Sequence, residues 1–451
     1  MFDKAAEELR KILHSDQIVS TDNSLIIKPG SAEDVSAVLK VANRTKTPVR
    51  PKGGGSGWWS STKPPENGIL LQMTAMDKII KIDEDLLTVT AQAGITYSAL
   101  EKALSEKGFQ VKIFPESSRM ATLGGHIQTW GTSPYSSSFY EDQSTQLLGL
   151  KVVLPTGEII STGSGAVPTS PGQYHRRFFP ADLTGLFTGS EGAFGVITEV
   201  TLKIHHNPES IITRVIGFRE TDKAVSLMTR LQNSQRSGEI LTLVEQRWVS
   251  RQVVIDVVPR MADRLPENIN IYLVVRTEGS KKDAAEHMEQ VSEVCREVGE
   301  QMFQEEIPEW WEGKYDKSAA ALVGKGPRVM IVAMTPFKLI PRVLSIIEQY
   351  SADYNLDLKL FGYPFGGPVF LAHTVFPWVA GKPETRETAQ HQARTVMKEL
   401  IEIGCVPHRV GSDFLPVIND MLDPEYRQFI RKLKEMLDPN GIMNPGVVVE
   451  N

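Results

Sequence analysis

Three glycine-rich segments in the first half of the chain, each beside a short apolar run, restrict its fold more than any other feature. The first, Pro51–Ser60, reads PKGGGSGWWS. Successive glycines let main-chain amides converge without interference from Cβ atoms, and such a nest holds a pyrophosphate without needing cationic side chains. The second, Pro115–Gly131, is PESSRMATLGGHIQTWG, rich in small and hydroxyl residues that suit close approach to a polar ring edge. The third runs Gly189-Ser190-Glu191-Gly192-Ala193-Phe194-Gly195 into the apolar Val196-Ile197. A Rossmann fingerprint is absent, because Gly55-Ser56-Gly57 continues into Trp58-Trp59-Ser60 with no third glycine. No G-x-x-x-x-G-K followed by Ser or Thr occurs either, so a P-loop hydrolase is disfavoured. A dinucleotide held by another fold is the remaining option.

At 451 residues the chain exceeds one ordinary core, and two domains are expected. A net charge of −6 gives no basic field for nucleic acid or anionic lipid. The start, Met1–Leu13, reads as an amphipathic surface helix with Phe2, Ala6, Leu9 and Leu13 on one stripe, unlike a signal peptide. No apolar run is long enough to span a bilayer. The two cysteines, Cys295 and Cys405, lack metal-type spacing and are expected as reduced thiols in a cytoplasmic protein.

Short strands and helices alternate in the first half. Leu25–Lys28 reads as a strand, Ser31 as an N-cap with Glu33 and Asp34 in the first turn, and Val35, Val38, Leu39 and Ala42 as a buried stripe. Further strands are expected at Pro48–Pro51, Leu86–Ala91 and Gly192–Ile204, and a helix at Tyr97–Lys107. Leu148–Leu154 and Glu158–Ser161 flank a hairpin turn at Pro155-Thr156-Gly157. After Pro208 the dense glycine loops stop, and longer helices separate strands such as Ile211–Phe218, Ile271–Val275 and Val329–Met334. Leu415–Gly446 reads as helical.

PVRPKGGGS, ATLGG, DLTGLFTGSEGAFGVITE and LDPNGIMNPG together resemble the signature stretches of the vanillyl-alcohol oxidase and p-cresol methylhydroxylase family of FAD-linked enzymes. The family includes glycolate and D-lactate dehydrogenases, and the resemblance runs from Leu25 to Gly446. It implies an α+β chain: a two-subdomain FAD-binding domain at 1–207, an inserted ferredoxin-like α+β cap at 208–405, and a segment at 406–451 returning to the first domain. By the same resemblance, Pro51, Lys52, Gly53, Gly54, Gly55, Ser56 and Gly57 wrap the FAD pyrophosphate. Pro115, Ser118, Thr122, Gly124 and Gly125 line the flavin and ribityl, with His126 and Thr129 close behind. Glu191, Gly192, Gly195 and Ile197 meet the adenine side, and Asn444 lies near the isoalloxazine.

Three departures bear on mechanism. Covalent relatives carry histidine just after the loop glycines, whereas this chain has Ser56, which implies non-covalent FAD at that loop. The hydroxy-acid dehydrogenases carry a metal-binding G-H-x-G-D-G-N-x-H stretch, and here Gly362–Phe370 reads GYPFGGPVF, so no metal is expected. His373 and Tyr363 become candidates beside the substrate. Where phenol-oxidising members have a Tyr-Arg pair, this chain has His408-Arg409, and the guanidinium suits a carboxylate or phenolate. The expected reaction is oxidation of an alcohol or benzylic C–H, an aromatic substrate being favoured by Tyr363, Phe365, Phe370 and Trp248. The alternatives are a metal-independent 2-hydroxy-acid dehydrogenase and an electron-transfer subunit with a decayed substrate site. Expected partners are a small-molecule substrate and an electron-transfer protein, with a homo-oligomer also compatible.

Overall fold

The computed structural model describes residues 2–21, 23–57, 64–133, 143–177, 181–237, 243–298, 301–303, 327–408 and 411–448. A first sheet has the order Ile18–Ser20, Ser24–Ile27, Gly68–Gln72, Val49–Lys52, and its last three strands are parallel. The crossover helix Ala32–Thr45 starts where Ser31 accepts from the Asp34 amide at 3.0 Å, and it ends on left-handed Lys46. Its stripe of Val35, Val38, Leu39 and Ala42 packs with Leu25, Ile27, Ile69 and Leu71 of the sheet and with Ala5, Ala6 and Leu9 of the helix Phe2–Ile12.

A second, antiparallel sheet has the order Ile79–Asp83, Thr88–Gln92, Val196–Lys203, Leu147–Val153, Ile159–Ser161. The turn at Pro155-Thr156-Gly157 forms as expected, with Gly157 at φ 96°. Leu86 and Leu87, read as strand, instead belong to the turn before Thr88. Leu87 adopts φ 50° and the Leu86 amide donates to Asp83, so both leucines are partly exposed. The third glycine segment is likewise a turn, and its strand begins only at Val196.

The third sheet is the largest. Its eight strands run in the order Gln301–Phe303, Ser210–Phe218, Ile271–Gly279, Leu243–Ser250, Phe361–Pro364, Val369–Pro377, Arg328–Pro336, Val406–Pro407. Thr277 donates to Ala284 of the helix Lys281–Val298, which identifies the face covered by helices. The opposite face meets the first domain, where Glu278 pairs with Lys112. The stretch after 405 does not return at once to the first domain. Val406–Pro407 extends the third sheet, Phe414 joins its core, and the helix Pro424–Leu437 makes the return through Ile430, Leu433 and Leu437. Beyond Leu437 the chain is not helical, because Asp438 and Pro439 end the helix.

No helix among the described residues is long and apolar enough to cross a membrane. Both cysteines are buried and free, and burial pushes the Cys295 thiol up to about 12, which leaves it unreactive.

Candidate flavin and substrate site

The strand Val49–Lys52 delivers the chain into Gly53 at the margin of the first sheet. A Cβ on Gly53 would collide with the Thr122 hydroxyl, and one on Gly54 would land on the Met120 carbonyl. These two glycines therefore let the first loop lie directly on the second. Gly55 turns through φ 73°, while a Cβ on Gly57 would meet nothing within 4 Å. Among the described residues, no main-chain N–H of residues 53–57 donates to another main-chain group. Main-chain amides not used by other main-chain groups, on a loop that glycines allow to curl, suit a pyrophosphate, so the loop fits that group.

Under it, Thr122 caps the helix Leu123–Gln128 by accepting from Gly125. Gly124 is packed against Ala93, where a Cβ would not fit. Thr129 donates to the Gly125 carbonyl at 2.9 Å. His126 faces inward: one ring nitrogen meets Tyr97 Oη at 2.8 Å and the other the Thr132 carbonyl at 3.2 Å. Its imidazole thus braces the loop from behind, with Nε2 donating to Thr132 and Nδ1 accepting from Tyr97. Pro115 and Ser118 are buried, and Ser118 accepts from both the amide and the hydroxyl of Ser98.

Left-handed or otherwise positive φ at Glu191, Gly192 and Gly195 folds the third loop back on the second. Gln128 donates to the Gly195 carbonyl at 2.7 Å and accepts from the Glu191 amide through its own carbonyl. The side chain of Ile197 lies in the core, so only its main chain can face a ligand. Asn444 donates to the Glu191 carbonyl at 2.5 Å and accepts from Arg50 Nε at 2.9 Å. The resemblance had put Asn444 and Glu191 at opposite ends of an extended dinucleotide, and residues in hydrogen-bond contact cannot occupy both. Asn444 ties the tail to the strand that enters the first loop, with Val49 and Met443 bridged in parallel.

Sequence reasoning missed four residues here: Arg50, Gln128, Lys434 and Asp438. Lys434 Nζ donates to the carbonyls of Ala193 and Met443, both at 2.8 Å, and to Asp438 at 2.5 Å. Asp438 also accepts from the amides of Ile442 and Met443. The spacing of Lys434 and Asp438, one helical turn apart, was the available signal. Lys434→Met would leave a buried carboxylate without its cation, so we expect about 3 kcal/mol of destabilisation in denaturant unfolding. Added FAD should offset part of that loss, since Lys434 and Asn444 tie the tail to the third loop.

In the cap, Tyr363 and His373 are buried on the sheet face that meets the first domain. His373 Nδ1 lies 3.0 Å from the Leu371 carbonyl, and its ring stacks on Phe361 at 5.2 Å and leans on Tyr363 at 5.5 Å. His408 is in the same cross-strand row, its amide donating to Val332, the residue paired with His373. Phe365 touches the His408 ring at 5.6 Å. Trp248 and Phe370 are not part of this surface. Their rings meet at 6.0 Å on the helix-covered face, because strand alternation turns them away from Tyr363. Arg409 lies outside the described residues. Among the described residues, no group of three His, Cys, Asp or Glu could hold a metal ion.

Interlocked glycine-rich loops beside a second domain with an aromatic and imidazole face fit a flavin-dependent oxidoreductase. Residues 24–163 match the FAD binding domain family, and residues 207–448 match the C-terminal domain of FAD linked oxidases. The chain belongs to the FAD-linked oxidase family, whose members act on CH–OH and CH groups. It is 26% identical to glycolate oxidase subunit GlcD of Bacillus subtilis, over 93% of this chain and 88% of that protein. It is 24% identical to a D-lactate dehydrogenase of Anaerostipes hadrus, over 94% and 89%. The crystal structure of p-cresol methylhydroxylase with substrate bound matches with a TM-score of 0.84 at 17% identity, covering 100% of this chain and 97% of that one. The shared fold is therefore that of the p-cresol methylhydroxylase type.

Proposed function

We propose that this enzyme oxidises a 2-hydroxy acid without a metal, and that the substrate sits between the Pro115–Ser118 loop and the row Phe361, Tyr363, His373 and His408. The observation that carries this reading is the geometry of His373. Nδ1–H donated to the Leu371 carbonyl fixes the orientation of the buried ring and makes Nε2 the nitrogen that would take a hydroxyl proton from a substrate. FAD, when bound, supplies the hydride acceptor. Its pyrophosphate is assigned to Lys52–Gly57, its flavin and ribityl to Pro115–Gly125, and its adenine side to the main chain of Glu191–Ile197. Asn444 belongs behind the first loop.

The hydroxy-acid reading gains over an aromatic alcohol for two reasons. Trp248 and Phe370, which had favoured an aromatic substrate, face the helices. The similar proteins include a glycolate oxidase subunit and a D-lactate dehydrogenase. Phe361 and Tyr363 around His373 suit an apolar side chain on the acid. Arg409, adjoining His408 in sequence, remains the candidate for the carboxylate. Ser56 implies that FAD is not attached at the first loop.

The test is anaerobic mixing with glycolate, D- and L-lactate, 2-hydroxy-4-methylpentanoate and 4-hydroxybenzyl alcohol while following flavin absorbance. Bleaching by one of the hydroxy acids is expected, with the rate unchanged by a chelator. Reduction by the benzylic alcohol alone would replace the substrate assignment. A rate lost to chelator and restored by zinc or manganese would contradict the metal-free reading.

A further inference from the structure

Two neighbouring cap strands carry charges at alternate positions: Glu245 and Arg247 on Leu243–Ser250, Arg276 and Glu278 on Ile271–Gly279. Glu245 is paired in register with Arg276, so all four point to the face that meets the first domain. All four are buried, as is Lys112. Within the cap, Arg247 lies 2.8 Å from Glu245, and Arg276 lies 2.6 Å from Glu278. Two ion pairs then cross to the first domain: Glu278 with Lys112, and Arg247 with Glu116 at 3.1 Å.

Buried ion pairs seldom raise stability over well-packed apolar residues, because desolvation cancels most of the attraction. Their use in some proteins is to fix register, since a displaced docking would leave buried charges without partners. Here Lys112 and Glu116 lie on one segment, which leads into and forms the loop assigned to the flavin. Their partners lie on two adjacent strands, so only one placement of the sheet satisfies both pairs. In the ladder where Trp248 faces Gly362, the next residue along brings Arg247 opposite Tyr363. Fixing Arg247 against Glu116 therefore sets the Tyr363 and His373 surface beside the Pro115–Ser118 loop.

We propose that Lys112–Glu278 and Glu116–Arg247 form an interdomain register lock, in which Arg247 is a positioning residue that holds the substrate face of the cap over the flavin. The catalytic consequence rests on the function proposed above, while the lock itself does not. It differs from an ordinary interface contact in acting through placement. Substrate affinity should therefore change less than the limiting rate of flavin reduction.

The experiment uses the full-length, FAD-loaded protein with Arg247→Met, Arg247→Lys, Glu116→Gln and the reversal Glu116→Arg with Arg247→Glu. Amide hydrogen exchange is followed by peptide, and flavin reduction is followed by stopped flow with the hydroxy acid that bleaches the wild type. In Arg247→Met, exchange should rise about ten-fold in 111–118 and in Phe361–Pro364, while the helix Lys281–Val298 keeps its protection. The limiting reduction rate should fall about ten- to a hundred-fold, the size of a lost charge-assisted contact, with FAD content unchanged. Arg247→Lys and the reversal should each recover part of both. If Arg247→Met does not fold, Glu116→Gln, altered at the more exposed partner, must show the same local pattern. Unchanged exchange in both segments, or loss of protection throughout the cap, would overturn the lock. Wild-type protein that no hydroxy acid reduces would sink the function reading alone, because the exchange comparison still decides the lock.

Discussion

Gly54→Ala is expected to abolish FAD retention and to lower the unfolding midpoint sharply, although it adds only one methyl group. The added Cβ would fall on the Met120 carbonyl, a main-chain atom that cannot rotate away. Relief requires the first loop to lift off the second, and overpacking in a fixed environment costs about 1–3 kcal/mol or more. Lifting also breaks the convergence of the amides of residues 53–57, so cofactor and stability are lost together. Gly57→Ala is the control. Its Cβ would meet nothing within 4 Å, so its unfolding midpoint should match the wild type. The measurements are flavin absorbance per protein after gel filtration and thermal unfolding. Full FAD occupancy in Gly54→Ala would place the pyrophosphate elsewhere.

His373→Asn is the second large effect. Removing a positioned base typically costs about 10²- to 10⁴-fold in rate. Flavin reduction should fall by that order while FAD content stays at the wild-type level, since the flavin loops are braced by His126, Gln128 and Asn444. Asparagine retains a donor for the Leu371 carbonyl, so the strand should keep its place and only the proton acceptor disappears. Stopped-flow reduction with the active hydroxy acid makes the measurement. A loss under about three-fold would leave His373 as a packing residue between Phe361 and Tyr363, well short of the range expected for a base.

Both predictions use residues visible in the sequence, but the reasons came from the structure. Glycine at 53 and 54 was legible as a loop requirement, and the phosphate was the obvious cause. The steric cause is Met120 and Thr122, whose approach depends on two loops converging from distant parts of the chain. Local signals read well wherever the determinant is local: the Ser31 cap, the stripe of Ala32–Thr45 and the hairpin at Gly157 all form as expected.

The failures share a different origin. The cap aromatics were grouped by residue type, since neither the strand pairing nor the face that the helices cover can be read from the sequence, so Trp248 and Phe370 were placed with Tyr363. Leu86 and Leu87 read as strand by hydrophobicity, yet Asp83 caps a turn there. Asn444 and Glu191 were separated because position along a motif says nothing of how the tail returns. The charged set at Glu245, Arg247, Arg276 and Glu278 did have a signature. Charges at every second residue of two strands mark a polar sheet face, and their burial follows only from the docking of the first domain.

The central claim is that this chain holds FAD non-covalently in its glycine loops. It is tested most directly by acid precipitation of the purified protein followed by chromatography of the supernatant. A yellow protein whose FAD appears in the supernatant in stoichiometric amount is the expected result. A colourless chain that takes up no added FAD, or flavin that stays with the pellet, would contradict it.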